Sequence, residues 1–486
     1  CVLADITEVG NFVDSTVSSF FLSNVAYFGN NQIYNAAITG GLSFSESLNV
    51  DGQASLSFGS LEIVNTNGIH DTYLTSYIWN KRPIKVYLGD PSWPKQDFVL
   101  IFDGLIQEIT APNENTLSFT LFDKLQRLND PISERTLKNL PAQYSENTLS
   151  NVLPLLFGEA FNIQPLLVDK GGATGSGQTY MVHDGAIAGT IEVRDNGVPI
   201  TVTDSPSTGT FTLLSSPFGT ITCSAQGRTP YTNTVAGIIT QLVTTDYGTT
   251  TNRFTTEEVS FGDFTNTSAV GFYCSDRTNI LDACNQLAKS VNANLICPSI
   301  VVTDGVVSTS KLRLIEIKAP AGEPKYTLSD DNMILNTLSI QQMFSVKPSI
   351  KLGYCKNYTI QSTVSAGVNP QSRFDEPYLY TTKDNPTQKT LYRDSGTVAE
   401  EETLLLTTAG ATAEAEKRLT LWEKQRYIVT ADYLPHLMFV QLGDIVRVKS
   451  ARFRLTTEEL PNGTLGMVYS VTRNWTTGIV SIGVLV

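Results

Sequence analysis

The stretch "FVLIFDGLIQEIT", residues 98–110, decides how this chain folds. Five apolar residues in a row read as a strand covered on both faces, and "DG" then interrupts the run. Beyond the glycine the pattern turns mixed. A strand buried at one end that bends at a glycine is what closing a small barrel requires. Its partner is "TLSFTLFDKLQRL" across the turn "APNEN": Leu117, Phe119 and Leu121 share one face, Ser118 and Thr120 the other. The chain ends on a similar element, "GMVYSVTRNWTTGIVSIGVLV", with "QLGDIVRVKS" before it. In its last strand Val480, Ile482, Val484 and Val486 alternate inward.

Working outward, "SLSFGSLEIVN" alternates with period two and "NTNGIHD" supplies turn chemistry. "RPIKVYLGDPSWP" adds a strand closed by Gly-Asp-Pro. Residues 1–135 therefore read as a first β-barrel. Residues 136–225 read as a connector and a small β insertion. There "NTLSNVLPLLFGEAFNIQP" is expected as a short helix or irregular segment, and "RDNG" as a hairpin turn. "GGATGSG" lacks the Lys-Ser or Lys-Thr of a phosphate loop and is expected as a flexible loop.

Residues 226–350 read as an α+β middle domain. In "TVAGIITQLV", Val235, Ile238, Ile239, Leu242 and Val243 fall on one helical face. In "SDRTNILDACNQLAKSVNANL" the face is Ile280, Leu281, Cys284, Leu287, Ala288 and Val291, with Ser275 or Asp276 as the expected cap. Residues 351–486 read as a second barrel. It carries a polar loop, 365–400, expected to contact a partner rather than pack in its own domain, and a helix in "ATAEAEKRLTLWEKQR". The fold class is thus mainly β with an α+β middle: two small antiparallel β-barrels at the chain ends, joined by a β insertion and an α+β domain.

Composition limits function. A chain of 486 residues holds roughly three or four domains. Net charge is −13, from 34 Lys and Arg against 47 Asp and Glu, which disfavours a protein that grips phosphate backbones. The same surplus suits solubility, or a surface past which DNA slides. No apolar run approaches the roughly 20 residues of a membrane span. The chain opens on Cys1 without Met, so upstream residues are expected to be missing or removed.

Chemistry leaves little trace. Cys1, Cys223, Cys274, Cys284, Cys297 and Cys355 show no Cys-x-x-Cys, so reduced, metal-free thiols are expected. His70, His183 and His436 lack metal spacing, and His183 beside Asp184 reads as a turn histidine bonded to backbone. The pair Glu401 and Glu402 reads as a solvated face. Trp422 and Trp475 read as core or rim packing; Trp79 and Trp93 complete the set. No catalytic, cofactor-binding or metal-binding residue is expected, and no cofactor.

Together these segments resemble the tail-tip and baseplate hub proteins of tailed bacteriophages and related gene transfer agents. The first barrel carries the resemblance in "GSLEIVNTNGIHD" and "RPIKVYLGD…FVLIFDGLIQEI…LSFTLFDKLQRLNDPI", the insertion in "VLPLLFG…YMVHDGAI…VRDNGVPI". The middle domain carries it in "DRTNILDACNQLAKSVNANL" and "MILNTLSIQQ…IKLGYCKNYTIQ", the last barrel in "LTLWEKQRYIVTADYL…LGDIVRVKS…GMVYSVTRNWTTGIVSIGVL". The resemblance covers nearly the whole chain. It implies no catalytic residues. It implies two like barrels per chain and a homotrimer that joins a sixfold tail tube to a threefold tip. The implied partners are a distal tail or tube protein, a tape measure and a central fibre or spike. DNA would pass the lumen without specific nucleic-acid binding, and the protein would reside in the virion, assembled in the host cytoplasm. Some relatives hold an iron–sulfur centre on clustered cysteines; the scattered cysteines here do not match that pattern. A receptor- or glycan-binding tail protein is the alternative, and after it a tail-associated cell-wall hydrolase.

Overall fold

A computed structural model describes all residues except 51–57, 173–176, 248–252, 304–305 and 394–397. Parts of the strand expected from residue 55, of "GGATGSG" and of the polar loop lie outside the described residues. The fold is mainly β with few helices, built on one sheet of 16 strands.

The N-terminal part of that sheet comprises β1 (Val2–Asn11), β2 (Val17–Ser23), β3 (Tyr27–Gly29), β4 (Gln32–Ala36), β5 (Ile38–Ser47), β6 (Phe58–Val64), β7 (Tyr77–Ile78), β8 (Arg82–Leu88), β9 (Val99–Asn113) and β10 (Thr116–Phe122). The C-terminal part comprises β11 (Tyr326–Ser329), β12 (Ser339–Phe344), β13 (Arg426–Tyr433), β14 (Ile445–Lys449), β15 (Thr464–Asn474) and β16 (Ile479–Leu485). Two of these, β11 and β12, precede the domain boundary expected at residue 350.

Alternation explains the strands. In β10 every second residue, Leu117, Phe119 and Leu121, is buried in the N-terminal core with Ile63, Phe102 and Trp79. In β9 the run from Leu100 to Ile106 is buried on both faces, so the cover expected for "FVLIF" continues past the "DG" step.

The two parts repeat one pairing scheme. The order β5-β6-β10-β9-β8 is matched by β12-β13-β16-β15-β14, antiparallel throughout and in the same chain order. A shared bulge fixes the equivalence. Gln107 is passed over between Ile106, opposite Leu121, and Glu108, opposite Thr120. Tyr469 is passed over between Val468, opposite Val484, and Ser470, opposite Gly483. Such a bulge sharpens twist and bends the strand.

Among the described residues neither part closes into a barrel by strand pairing. In each, the chain itself crosses from one edge to the other. β4 pairs in parallel with β2, and Ala37 then donates to the Ser23 carbonyl while its own carbonyl accepts from the Val64 N–H, both at 2.8 Å. β11 pairs in parallel with β14, after which Ile334 donates to the Asp432 carbonyl at 2.8 Å and the chain continues into β12. Each curled unit encloses its own core.

Between them lie the other elements. The connector expected as helix or irregular is a buried strand, Leu155–Ile163. Its apolar run packs on both faces, which periodicity alone could not separate from a helix. Helix α1 (Val235–Thr244) buries the five residues expected. Helix α2 (Ile280–Ser290) begins later than expected, with Asn279 at the cap position instead of Ser275 or Asp276. The polar loop is corrected as well. Its Leu379–Asp384 is a strand paired with Ser349–Tyr354, which also pairs with Ala399–Glu402; helix α3 (Thr408–Trp422) packs on this sheet. Threonine-rich strands bury one face only, so composition hid them.

Candidate assembly interface

The two units are not independent beads. β15 extends past its pairing with β14 and there pairs with β5, Ser470 opposite Ser47 through Asn474 opposite Ser43. The backbone seam is closed at each end: Leu48 donates to the Tyr469 carbonyl at 2.8 Å and Trp475 to the Leu42 carbonyl at 2.9 Å. On one face the hydroxyls of Ser45 and Thr472 meet at 2.7 Å. The Trp475 ring packs against both cores.

On the other face an ion pair is sealed inside. Arg473 and Glu46 have side chains only 1% exposed and lie 3.0 Å apart. Arg473 also donates to the carbonyls of Met438 (2.8 Å) and Val440 (2.7 Å). The second Glu46 oxygen accepts from the Ser299 N–H at 2.7 Å and its hydroxyl at 2.5 Å. A charge pair out of water is tolerated only when such extra bonds occupy its remaining donors and acceptors.

Ser299 belongs to the middle domain, so the seam has three parties. Its carbonyl accepts from the Asp103 N–H at 2.9 Å, in the "DG" step of β9. The Asp103 carboxylate takes Lys124 at 2.8 Å and the Ser310 N–H at 3.0 Å. Lys124 and Arg127 reach Glu258 at 3.4 and 3.1 Å. Burial alone would raise the Glu258 carboxyl, but the Thr255 N–H and these two cations hold it below its ordinary range. Asn294 adds a backbone clamp, its side chain bonding both the N–H and the carbonyl of Asn49 at 2.8 and 2.9 Å.

The "DG" break is therefore a docking point. β9 keeps its register with β8 through Asp103 and Gly104, and its pairing irregularities fall at Ile101 against β8 and at Gln107 against β10. Gly104 is needed because a Cβ there would lie 2.4 Å from the Phe122 carbonyl oxygen.

The residues singled out by sequence lie elsewhere. His183 is fully buried, its Nδ1 accepting from the Leu156 N–H at 2.9 Å, and burial pushes its pKa down to about 3. Asp184 pairs with Arg135 at 2.8 Å, not with His183. His70 packs on Tyr73, with ring centroids 4.8 Å apart, and His436 sits in a short turn. Glu401 is no solvated residue: it pairs with Arg418 and Lys347, beside the buried Arg418–Glu414 bridge of α3 at 2.7 Å. Trp79 and Trp422 are core and Trp93 is half exposed. Cys223, Cys274, Cys284 and Cys297 are buried free thiols, and burial pushes Cys274 and Cys297 up to about 12. Among the described residues no three His, Cys, Asp or Glu side chains gather to hold a metal. Among them, too, no helix is long and apolar enough to cross a membrane.

Glu46 and Arg473 went unremarked in the sequence, and Asp103 was noted only as the break in the apolar run. A signal was present: Glu46 shares the inward parity of Leu42 and Phe44 across its strand's irregularity, and Arg473 that of Val471. A charge at an inward position needs a buried partner.

No protein-family model and no curated protein sequence matches the chain. Several solved structures are similar in fold. The 43 kDa tail protein of prophage MuSo2 from Shewanella oneidensis is 11% identical with a TM-score of 0.39, covering 99% of this chain and 98% of that one. Prophage tail protein gp18 from Listeria monocytogenes is 9% identical with a TM-score of 0.41, covering 100% and 94%. A chain of the native gene transfer agent virion is 10% identical with a TM-score of 0.44, covering 69% and 84%.

Proposed function

We propose that this protein is a structural component of a bacteriophage tail tip or baseplate, a homotrimeric hub that adapts a sixfold tail tube to a threefold tip. The observation that carries it is the duplicated unit, five strands in one order with one bulge, present twice in a chain whose sequence resembles tail-tip hubs. Three chains then present six like units, each able to dock one subunit of a sixfold ring. The seam serves this purpose. A buried ion pair and a shared sheet fix one unit against the other, so that the spacing between two docking surfaces is rigid.

The partners on this reading are other tail proteins: a tube or distal tail protein on one side, a fibre or spike on the other. The surplus of 13 negative charges suits a lumen past which DNA slides. Rotational symmetry tests the stoichiometry: the isolated particle, imaged by electron microscopy, should show three copies around the tail axis. Six copies, or one, would overturn it. A lumen lined by Lys and Arg would overturn the electrostatic part alone.

A further inference from the structure

His183 carries a proton that it gives to no protein group. Its Nδ1 accepts from the Leu156 N–H at 2.9 Å, and a pKa pushed down to about 3 leaves the ring neutral at neutral pH. The single ring proton therefore sits on Nε2. That nitrogen is buried and, among the described residues, has no hydrogen-bond partner. A buried donor left without an acceptor is costly and calls for a water or an ion.

Arg228 brings a positive charge to the same place. Among the described residues its Nε is likewise buried without an acceptor, and no carboxylate pairs with the guanidinium. It lies instead over the Tyr247 ring, 4.9 Å from the centroid. His183 and Tyr247 both meet Phe157 edge to face, at 5.9 and 5.7 Å between centroids. A Cβ on Gly227 would lie 2.3 Å from the Leu156 carbonyl oxygen, so the strand Ile221–Arg228 runs hard against the residue that holds His183. Arg228 is near enough to His183 to oppose its protonation. Asp184, the adjoining carboxylate, is taken by Arg135 at 2.8 Å.

The Nε2 edge of His183 can be approached from solvent. Gly185 is exposed, and a Cβ built on it would touch only Cδ2 and Nε2 of His183, both at 3.8 Å. A water there would satisfy the imidazole and leave the Arg228 charge unbalanced. An acceptor that is itself negative answers both groups at once, through charge-assisted bonds. We propose that His183 Nε2–H and the Arg228 guanidinium hold a small oxyanion, a phosphate or carboxylate ion, entered over Gly185. Such an ion ties the His183 turn of the β insertion to Arg228 and, through it, to Tyr247 just beyond α1. The site lies within one chain and does not depend on the hub reading.

Magnetic resonance on the full chain with isotope-labelled histidine tests the site. His70, His183 and His436 are the histidines of the chain, and His183→Gln identifies the signal in question. Starting from a buffer free of both ions, inorganic phosphate and, separately, acetate are added at constant ionic strength. With at least one of them the His183 Nε2–H signal should move downfield along a saturating curve while His70 and His436 hold still. The melting temperature should rise along the same curve, because the ion binds only the folded chain. Arg228→Leu should weaken the apparent affinity by about tenfold or more. Arg452→Leu, which removes a cation of the C-terminal unit, should leave it unchanged. A His183 signal that neither ion moves overturns the site. Equal movement of all the histidines, the mark of an adventitious ion only, overturns it too, as does an unchanged curve in Arg228→Leu. If that variant does not fold, the titration of the unaltered chain decides alone.

Discussion

Arg473 and Glu46, 427 positions apart in sequence, meet at 3.0 Å across the seam that makes one sheet of two units. Removing one partner leaves the other charged and buried. Glu46→Leu or Arg473→Met alone should destabilise the chain by about 3–5 kcal/mol. The double variant Glu46→Leu/Arg473→Met should recover part of that loss, since no charge is then stranded. Urea unfolding of all four proteins in a double-mutant cycle checks this; strictly additive effects would show that the two charges do not interact.

Gly104 should tolerate no side chain. A Cβ meets the Phe122 carbonyl at 2.4 Å and the core Phe102 ring at 2.6 Å. Gly104→Ala should cost about 1–3 kcal/mol. Gly262 has nothing within 4 Å of its would-be Cβ, so Gly262→Ala should change stability by no more than about 0.5 kcal/mol. Paired thermal melts decide.

His183 should make stability depend on pH. Its folded pKa is pushed down to about 3 by burial, with Arg228 adding repulsion, against an ordinary value of 6.5. Between those values the unfolded chain binds a proton that the folded chain refuses. The stabilising contribution is therefore full above pH 6.5 and lost as pH falls toward 3, at up to about 1.4 kcal/mol per pH unit. His183→Gln should flatten that part of the profile, at some cost in stability at neutral pH. An unchanged slope would place the acid sensitivity in other groups.

How far the sequence could be read follows from what each segment buries. The faces of β10 and α1 were legible residue by residue, because one side packs on a core and the other meets water. The strand Leu155–Ile163 was not, since it is covered on both sides and leaves no period. The duplicated order was visible in the shared hairpins, but the seam was not. It depends on Glu46 finding Arg473 across the whole chain, and the only local sign is a charge where alternation asks for an apolar residue. Asp103 was noticed as a break in the apolar run, not as the buried carboxylate that takes Lys124.

The segment "DEPYLYTTKDNPTQK", residues 375–389, was expected to serve a partner, so that its deletion would leave the monomer folded. The structure predicts the reverse. Leu379–Asp384 forms a full antiparallel ladder with Ser349–Tyr354, and Tyr378 is buried. Asn385 caps the helix Pro386–Leu391 and bonds Glu423 just beyond α3 at 2.7 Å. Thr381 and Thr412 join the strand to α3, and Lys383 pairs with Glu416 at 2.5 Å. Deleting the segment would uncover Ile350 and Leu352, which pack on Ala415 of α3, and would orphan a whole row of backbone groups. Hydrogen exchange on the deleted chain should show protection lost across 349–354 and α3, while β9 and β10 stay protected. Full protection of α3 would mean that the loop is dispensable to the monomer after all, and its strand an element held for another chain.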